Sequence, residues 1–377
     1  MPLTATHITA DTATVTVASQ WEEVAEWSRR YFGPWWHATI TVESHSGGSI
    51  AENGAGMVLA DTDPGRVEDV RTLVTDYGFE ETDYANTRTL VSRQDGITYA
   101  VQPDEHLAYQ ADRGRLVIVG EHPEPVAVAA ARLARELVRA QLLADGWTVL
   151  HASAAVKDGR TVLTLGGKGA GKTTTALLLA RRQGWGLLAN DRVFARAEPD
   201  GTVRVLPWPS AAAIGLGLLE ATGLYDQVRD KVLAGGLLHP TQHPSVTEAL
   251  REGRRAPLWK DTGKELKPQF FPDQLSTWLG LTLATEATAA ALLFPHMNPD
   301  SSPTLLDDGR ALTEADVFTR ATEDRYPDIF HLAPATTPAA STLVDHLGRL
   351  PHRSLTLSHD TEANAALLAK TADDLTA

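Results

Sequence analysis

Over residues 11 to 18, DTATVTVA, apolar and polar positions alternate with a period of two, the pattern of a strand with one buried face. The period then lengthens. SQWEEVAEWSRRYF carries acids early and apolar residues at helical spacing, and Gly33-Pro34 ends it. HATITVES predicts another strand, followed by a Gly-rich loop and a helix around 65 to 77. VSRQDGITYAV holds two alternating runs about Asp95-Gly96, the dipeptide that best closes a tight hairpin. After the strand GRLVIVG, Pro123 and Pro125 open a long alanine-leucine helix that Gly146 closes.

The second half alternates the two periods. WTVLHASAAVKDGRTVLTLGG predicts a strand hairpin, and helices follow around 172 to 183 and 211 to 234. GLLAN and ALLFP read as short apolar strands, and a final helix starts at 361. The expected class is α/β, with a mixed α+β domain over 1–122 and a second domain over 123–377, the long alanine-leucine helix lying at the junction.

Composition narrows the functions. The chain has 377 residues, of which 43% are hydrophobic, enough for a conventional core. It has no cysteine, which excludes disulfides, thiolate nucleophiles and Cys-ligated zinc and suits a reducing compartment. The start, MPLTATHITADT, lacks the basic-then-apolar order of a leader, and no run approaches the length of a membrane span, so a cytoplasmic protein is expected. A net charge of -14 disfavours nucleic acid and anionic membrane as partners. Against that background residues 251 to 267, REGRRAPLWKDTGKELK, hold six basic and three acidic side chains. Either this is a solvated segment, or Arg254, Arg255, Lys260 and Lys264 face a phosphate or a substrate.

The strongest chemical signal is Gly166-Gly167-Lys168-Gly169-Ala170-Gly171-Lys172-Thr173, followed by Thr174. It satisfies G-x-x-x-x-G-K-[ST] between a β-branched strand and a helix. Glycines let successive amides turn inward onto phosphate oxygens, and the helix start adds a favourable dipole. Lys172 supplies a charge for the outer phosphates, and the Thr173 hydroxyl is a ligand for Mg²⁺. No N-K-x-D, LSGGQ or G-x-G-x-x-G accompanies it, which disfavours switch GTPases, transporter motors and dinucleotide enzymes.

The Asp158-Gly159 turn also sets a register. A two-residue loop pairs Lys157 with Arg160, and continuing the ladder places His151 opposite Gly166, at the mouth of the phosphate loop. That histidine is either a structural strand residue or a proton acceptor. Asp191, at the end of GLLAN, either caps a turn or joins Thr173 in holding Mg²⁺. Arg192 points to a phosphate or to solvent.

Taken together, LHASAAVKDGRTVLTLGGKGAGKTTTALLLARRQGWGLLANDRV resembles the core of the HPr kinase/phosphorylase family, which has a strand histidine, a hairpin, a phosphate loop and a strand ending in Asp-Asp-Arg-Val. The phosphoenolpyruvate carboxykinase fold has a similar loop. The resemblance covers about residues 130 to 210. It implies a P-loop kinase domain that transfers the γ-phosphate of ATP, with Mg²⁺, to a hydroxyl, with His151, Lys172, Thr173 and Asp191 at matching positions. Three departures stand out. The N-terminal 120 residues carry no recognised motif. The C-terminal signature that reads the HPr protein is absent, so the expected acceptor is another peptide or protein serine, or a small metabolite. The family's general-base position holds Asn190, which keeps open a second function, a nucleotide-binding regulatory or assembly ATPase without phosphotransfer. A carboxykinase is the weaker reading, because this sequence offers no metal-binding lysine and histidine set that can be assigned. Assembly of identical copies stays open.

Overall fold

The alternating N-terminal segments join one nine-stranded sheet in the computed structural model, which describes residues 3–43, 56–112, 114–307, 310–313, 316–317, 327–333 and 341–376. The Gly-rich loop expected after HATITVES lies outside the described residues. Contacts divide the chain into two units, residues 1–147 with 319–338, and residues 148–318 with 339–377.

In the first unit the strands are β1 (Leu3–Ala10), β2 (Ala13–Ser19), β3 (Thr39–Glu43), β4 (Gly56–Thr62), β5 (Glu80–Tyr84), β6 (Thr87–Gln94), β7 (Ile97–Gln102), β8 (Leu107–Asp112) and β9 (Arg115–Gly120). Their order is β3-β1-β2-β4-β9-β8-β7-β6-β5, with β4 parallel to β2 and β9 and the other pairs antiparallel. The expected strand at 11 to 18 starts only at Ala13, because Asp11, at φ 51°, turns the chain back from β1. Asp95 and Gly96 both take positive φ, as the hairpin reading requires.

Among its described residues are three α-helices: α1 (Glu22–Phe32), α2 (Pro64–Tyr77) and α3 (Pro123–Ala144). Alanines 127, 130, 131 and 134 give α3 a small-residue face that sits close on the sheet, beside Val126, Leu133, Leu137 and Val138, and it packs on β2, β4 and β9. The long helix is therefore part of the first unit. The division falls after it, at Trp147/Thr148, and not before it at 122/123.

The second unit contains β10 (Thr148–Leu150), β11 (Ala152–Lys157), β12 (Arg160–Leu165), α4 (Lys172–Ala180), β13 (Trp185–Ala189), β14 (Val193–Ala197) and β15 (Val203–Pro207). Next come β16 (Ala212–Ala213), α5 (Leu216–Ala221), α6 (Tyr225–Leu233), α7 (Pro244–Arg251), β17 (Leu258–Trp259), β18 (Glu265–Leu266), β19 (Gln269–Phe270) and α8 (Pro272–Thr277). It ends with β20 (Ala287–Met297), β21 (Thr304–Leu306), α9 (Ser341–Gly348), β22 (His352–Leu357) and α10 (Thr361–Thr376). The helix expected over 211 to 234 is two short helices after a strand: Ala212 and Ala213 pair with β19, and Gly223, at φ 68°, breaks the run.

The main sheet runs β10-β14-β15-β20-β12-β11-β13, and β22 continues it along the far half of β20. One face carries α4 and α10, where Leu178, Leu179, Leu368 and Ala372 meet Val162, Ala291 and Leu293. On the other, Leu343 and Leu347 of α9 meet Leu163, Leu165 and Leu188. β12 is therefore covered on both sides, which explains why its sequence runs TVLTL without polar alternation. Mixed sheets with helices on both faces make this an α/β unit. Among the described residues no helix is long and apolar enough to cross a membrane.

Candidate active site

Two registers build the site. The Asp158-Gly159 turn has φ of 51° and 73°, and the ladder runs unbroken from Lys157↔Arg160 to Ala152↔Leu165. The next positions outward are His151 and Gly166, as the turn chemistry requires. The second register joins segment 148–157 to segment 185–197. Leu150 pairs with Val193 and Ala154 with Ala189, and between these ladders the strands part. Residues 151–153 and 190–192 fill the interruption, so His151, Asn190, Asp191 and Arg192 are released from the sheet at one place.

There His151 Nε2 lies 3.2 Å from Asp191 Oδ1, and Arg192 Nε lies 3.4 Å from Asp191 Oδ2. Burial pushes the Asp191 carboxyl up, but the hydrogen bond from His151 and the positive charges of Arg192 and Lys172 outweigh it and hold the pKa below its ordinary value. An ionised carboxylate only accepts, so His151 Nε2 carries a proton and donates the hydrogen bond to Asp191. Arg192 turns inward rather than to solvent: its guanidinium lies 5.7 Å over the Trp208 ring, which packs at 5.1 Å on Phe194.

The phosphate loop joins β12 to α4. Lys172 is buried, and its Nζ donates to the carbonyls of Gly166 and Gly167 at 2.7 and 3.2 Å. Ser153, from the interrupted strand, donates through Oγ to the Lys172 carbonyl at 2.8 Å and ties the helix start to β11. Gly167, Lys168 and Gly169 are exposed, while Ala170, Gly171, Thr173 and Thr174 are partly buried. Within the loop Ala170 donates its amide to Gly167, whereas the amides of Lys168, Gly169 and Thr173 meet no acceptor among the described residues. Such a row of unpaired N–H groups at a helix start favours an anion.

Gly171 sits at φ 105°, and a Cβ there would come within 3.1 Å of Leu357 and 3.2 Å of Met297. Gly171→Ala is therefore expected to cost roughly 1–2 kcal/mol from the left-handed conformation alone. Thermal unfolding checks this, and ATP affinity measured alongside should fall as the loop shifts.

Asn190 ends the strand as an amide. It is 8% exposed, and its Oδ1 is buried with no hydrogen-bond partner. Buried polar atoms are nearly always paired, and leaving one unpaired costs about 1–3 kcal/mol. Among the described residues no three His, Asp or Glu side chains gather as a metal cage. Mg²⁺ at a phosphate site does not need one, because phosphate and water oxygens complete its shell.

Of the two readings of the basic segment, the solvated one agrees with the exposure of Arg254, Arg255, Lys260 and Lys264. Arg255 is bound to Glu220 and Asp226 and stacks 4.6 Å over Tyr225, and Arg254 donates to the Pro257 carbonyl at 3.2 Å. Arg255 thus links α5 to α6. Lys260 and Lys264 flank the β17–β18 turn, closed by a 2.9 Å bond from the Lys260 amide to the Lys264 carbonyl, and do not lie on a helix face. Sequence reasoning missed Ser153, although the hairpin register that places His151 also places this residue two positions further in. It also missed Trp208, the residue directly after β15. No protein-family model matches the chain, and no curated protein matches it.

Proposed function

We propose that the second unit is a Mg²⁺- and ATP-dependent phosphotransferase of the HPr kinase/phosphoenolpyruvate carboxykinase type, acting on a hydroxyl of a peptide, a protein serine or a small metabolite. The observation that carries this reading is the His151–Asp191 contact of 3.2 Å at the mouth of a phosphate loop that ends in a buried lysine. The loop amides and Lys172 hold the polyphosphate. Thr173 and Asp191 are the residues that hold Mg²⁺, which when bound neutralises charge on the outer phosphates. His151 accepts the hydroxyl proton, and Asp191 orients its ring.

Asn190 fits a loose transition state, in which bonding to the nucleophile is weak and little base strength is needed early. A neutral amide orients the acceptor by hydrogen bonds and spares the polyphosphate one nearby negative charge. The excess of acidic residues in the whole chain supports a peptide or small molecule over a nucleic acid as the acceptor.

A second reading is a regulatory ATPase. Asn190 favours it, because the site then lacks a carboxylate at the family's base position. Replacing His151 by alanine separates the two. Under the kinase reading it lowers transfer by on the order of a hundredfold with little effect on ATP affinity, the usual scale for a lost general base. Labelled ATP incubated with an extract of the source organism shows whether phosphate moves to an acceptor. Label found only in free phosphate, at a rate indifferent to His151→Ala, would favour the regulatory ATPase.

A further inference from the structure

We propose that Arg310 and Asp316 form a positioning device for His151, built from a segment far along the chain; this rests on the kinase reading above. His151 stands between β10 and β11, where the chain changes ladder partners from β14 to β12 and β13. At that crossing its amide donates to the Asp316 carbonyl at 3.2 Å, and the preceding Leu150 bridges Val317. The backbone that aims the imidazole is thus held by residues 316 and 317.

Those residues are in turn fixed by a buried carboxylate. Asp316 is 5% exposed, and its side chain accepts from Arg310 at 2.8 and 3.1 Å, from the Thr313 amide at 2.9 Å and from the Thr313 hydroxyl at 3.1 Å. A buried charge with this many donors has one low-energy geometry, because any rotation leaves an acceptor unpaired. Arg310 lies 4.1 Å over the Phe294 ring in β20. The next residue, Pro295, has its carbonyl 3.7 Å from where a Cβ on Gly166 would stand. One cluster therefore reaches both the strand that carries the histidine and the first residue of the phosphate loop. Asp316 reaches His151 through its backbone carbonyl, so its effect passes through the main chain.

The test uses the full chain labelled with ¹⁵N at histidine. The ring signals of His151 are assigned by their loss in His151→Gln. In Asp316→Asn, and in Thr313→Val, which removes one donor and keeps the shape, those signals should move; in Thr313→Ser, which keeps the hydroxyl, they should stay. Phosphate transfer in the first two variants should fall on the order of tenfold at unchanged KM for Mg-ATP, the mark of misorientation rather than lost binding. If Asp316→Asn does not fold, the two Thr313 variants decide alone. Ring signals at their wild-type positions in every folded variant would overturn the proposal. The spectra need no turnover, so a wild type that fails to transfer phosphate sinks the kinase reading and leaves the positioning test standing.

Discussion

Lys172→Ala should abolish turnover, lowering it on the order of a thousandfold or more, because a preorganised charge aimed at the transferred group is lost from a site where water screens poorly. Nothing else in the loop replaces it. Lys168 is exposed, and Arg192 is committed to Asp191 and Trp208. Its ammonium donates to the carbonyls of Gly166 and Gly167, acceptors that a phosphate would outcompete. Lys172→Met keeps the apolar stem and so separates lost charge from lost packing. Both variants should lose turnover, while only the alanine should also lower the melting temperature. Retained hydrolysis in the methionine variant would contradict the role.

Asp191→Asn should remove nearly all metal-dependent activity, and the stability it costs should not vary with pH between 5.5 and 9. The folded carboxyl titrates below its ordinary value, so the carboxylate and the stability it contributes are present above the unfolded pKa of about 3.9. They are lost only as pH falls through the lower folded value. The stability lost in Asp191→Asn is therefore expected to be constant across that window and to shrink in acid, which unfolding of both proteins across pH checks. A stability difference that grows through neutral pH would contradict the lowered carboxyl.

Much of this site is legible in the sequence because its determinants are local. A Gly-rich loop between a strand and a helix is set by backbone conformation, and an Asp-Gly turn transmits its register along the ladder as far as Ala152 and Leu165, one position short of His151 and Gly166. What escapes is what the chain brings in from a distance. Asp316 has no signal near His151 in the sequence, since a backbone carbonyl leaves no mark on residue type. β1 is hidden because Thr and Ala alternate there with little contrast in hydrophobicity. The long helix read as the start of the second domain because its apolar face does not reveal which sheet it covers, and that sheet is the first unit's. The basic run is exposed as a solvated segment would be, yet within it Arg255 pairs with carboxylates on two neighbouring helices. A charge count cannot tell a free cation from a paired one.

The most direct test of phosphotransfer is a single-turnover experiment with γ-labelled ATP and an acceptor fraction from the source organism, comparing wild type, His151→Ala and Asn190→Asp from pH 5.5 to 9. Wild type should place the label on an alcohol ester, His151→Ala should do so on the order of a hundredfold more slowly, and Asn190→Asp should retain transfer with a displaced pH profile. The contradicting result is label released only as free phosphate by wild type at every pH, while Asn190→Asp gains the ester: Asn190 would then mark a lost base, and the protein a nucleotide-driven regulator.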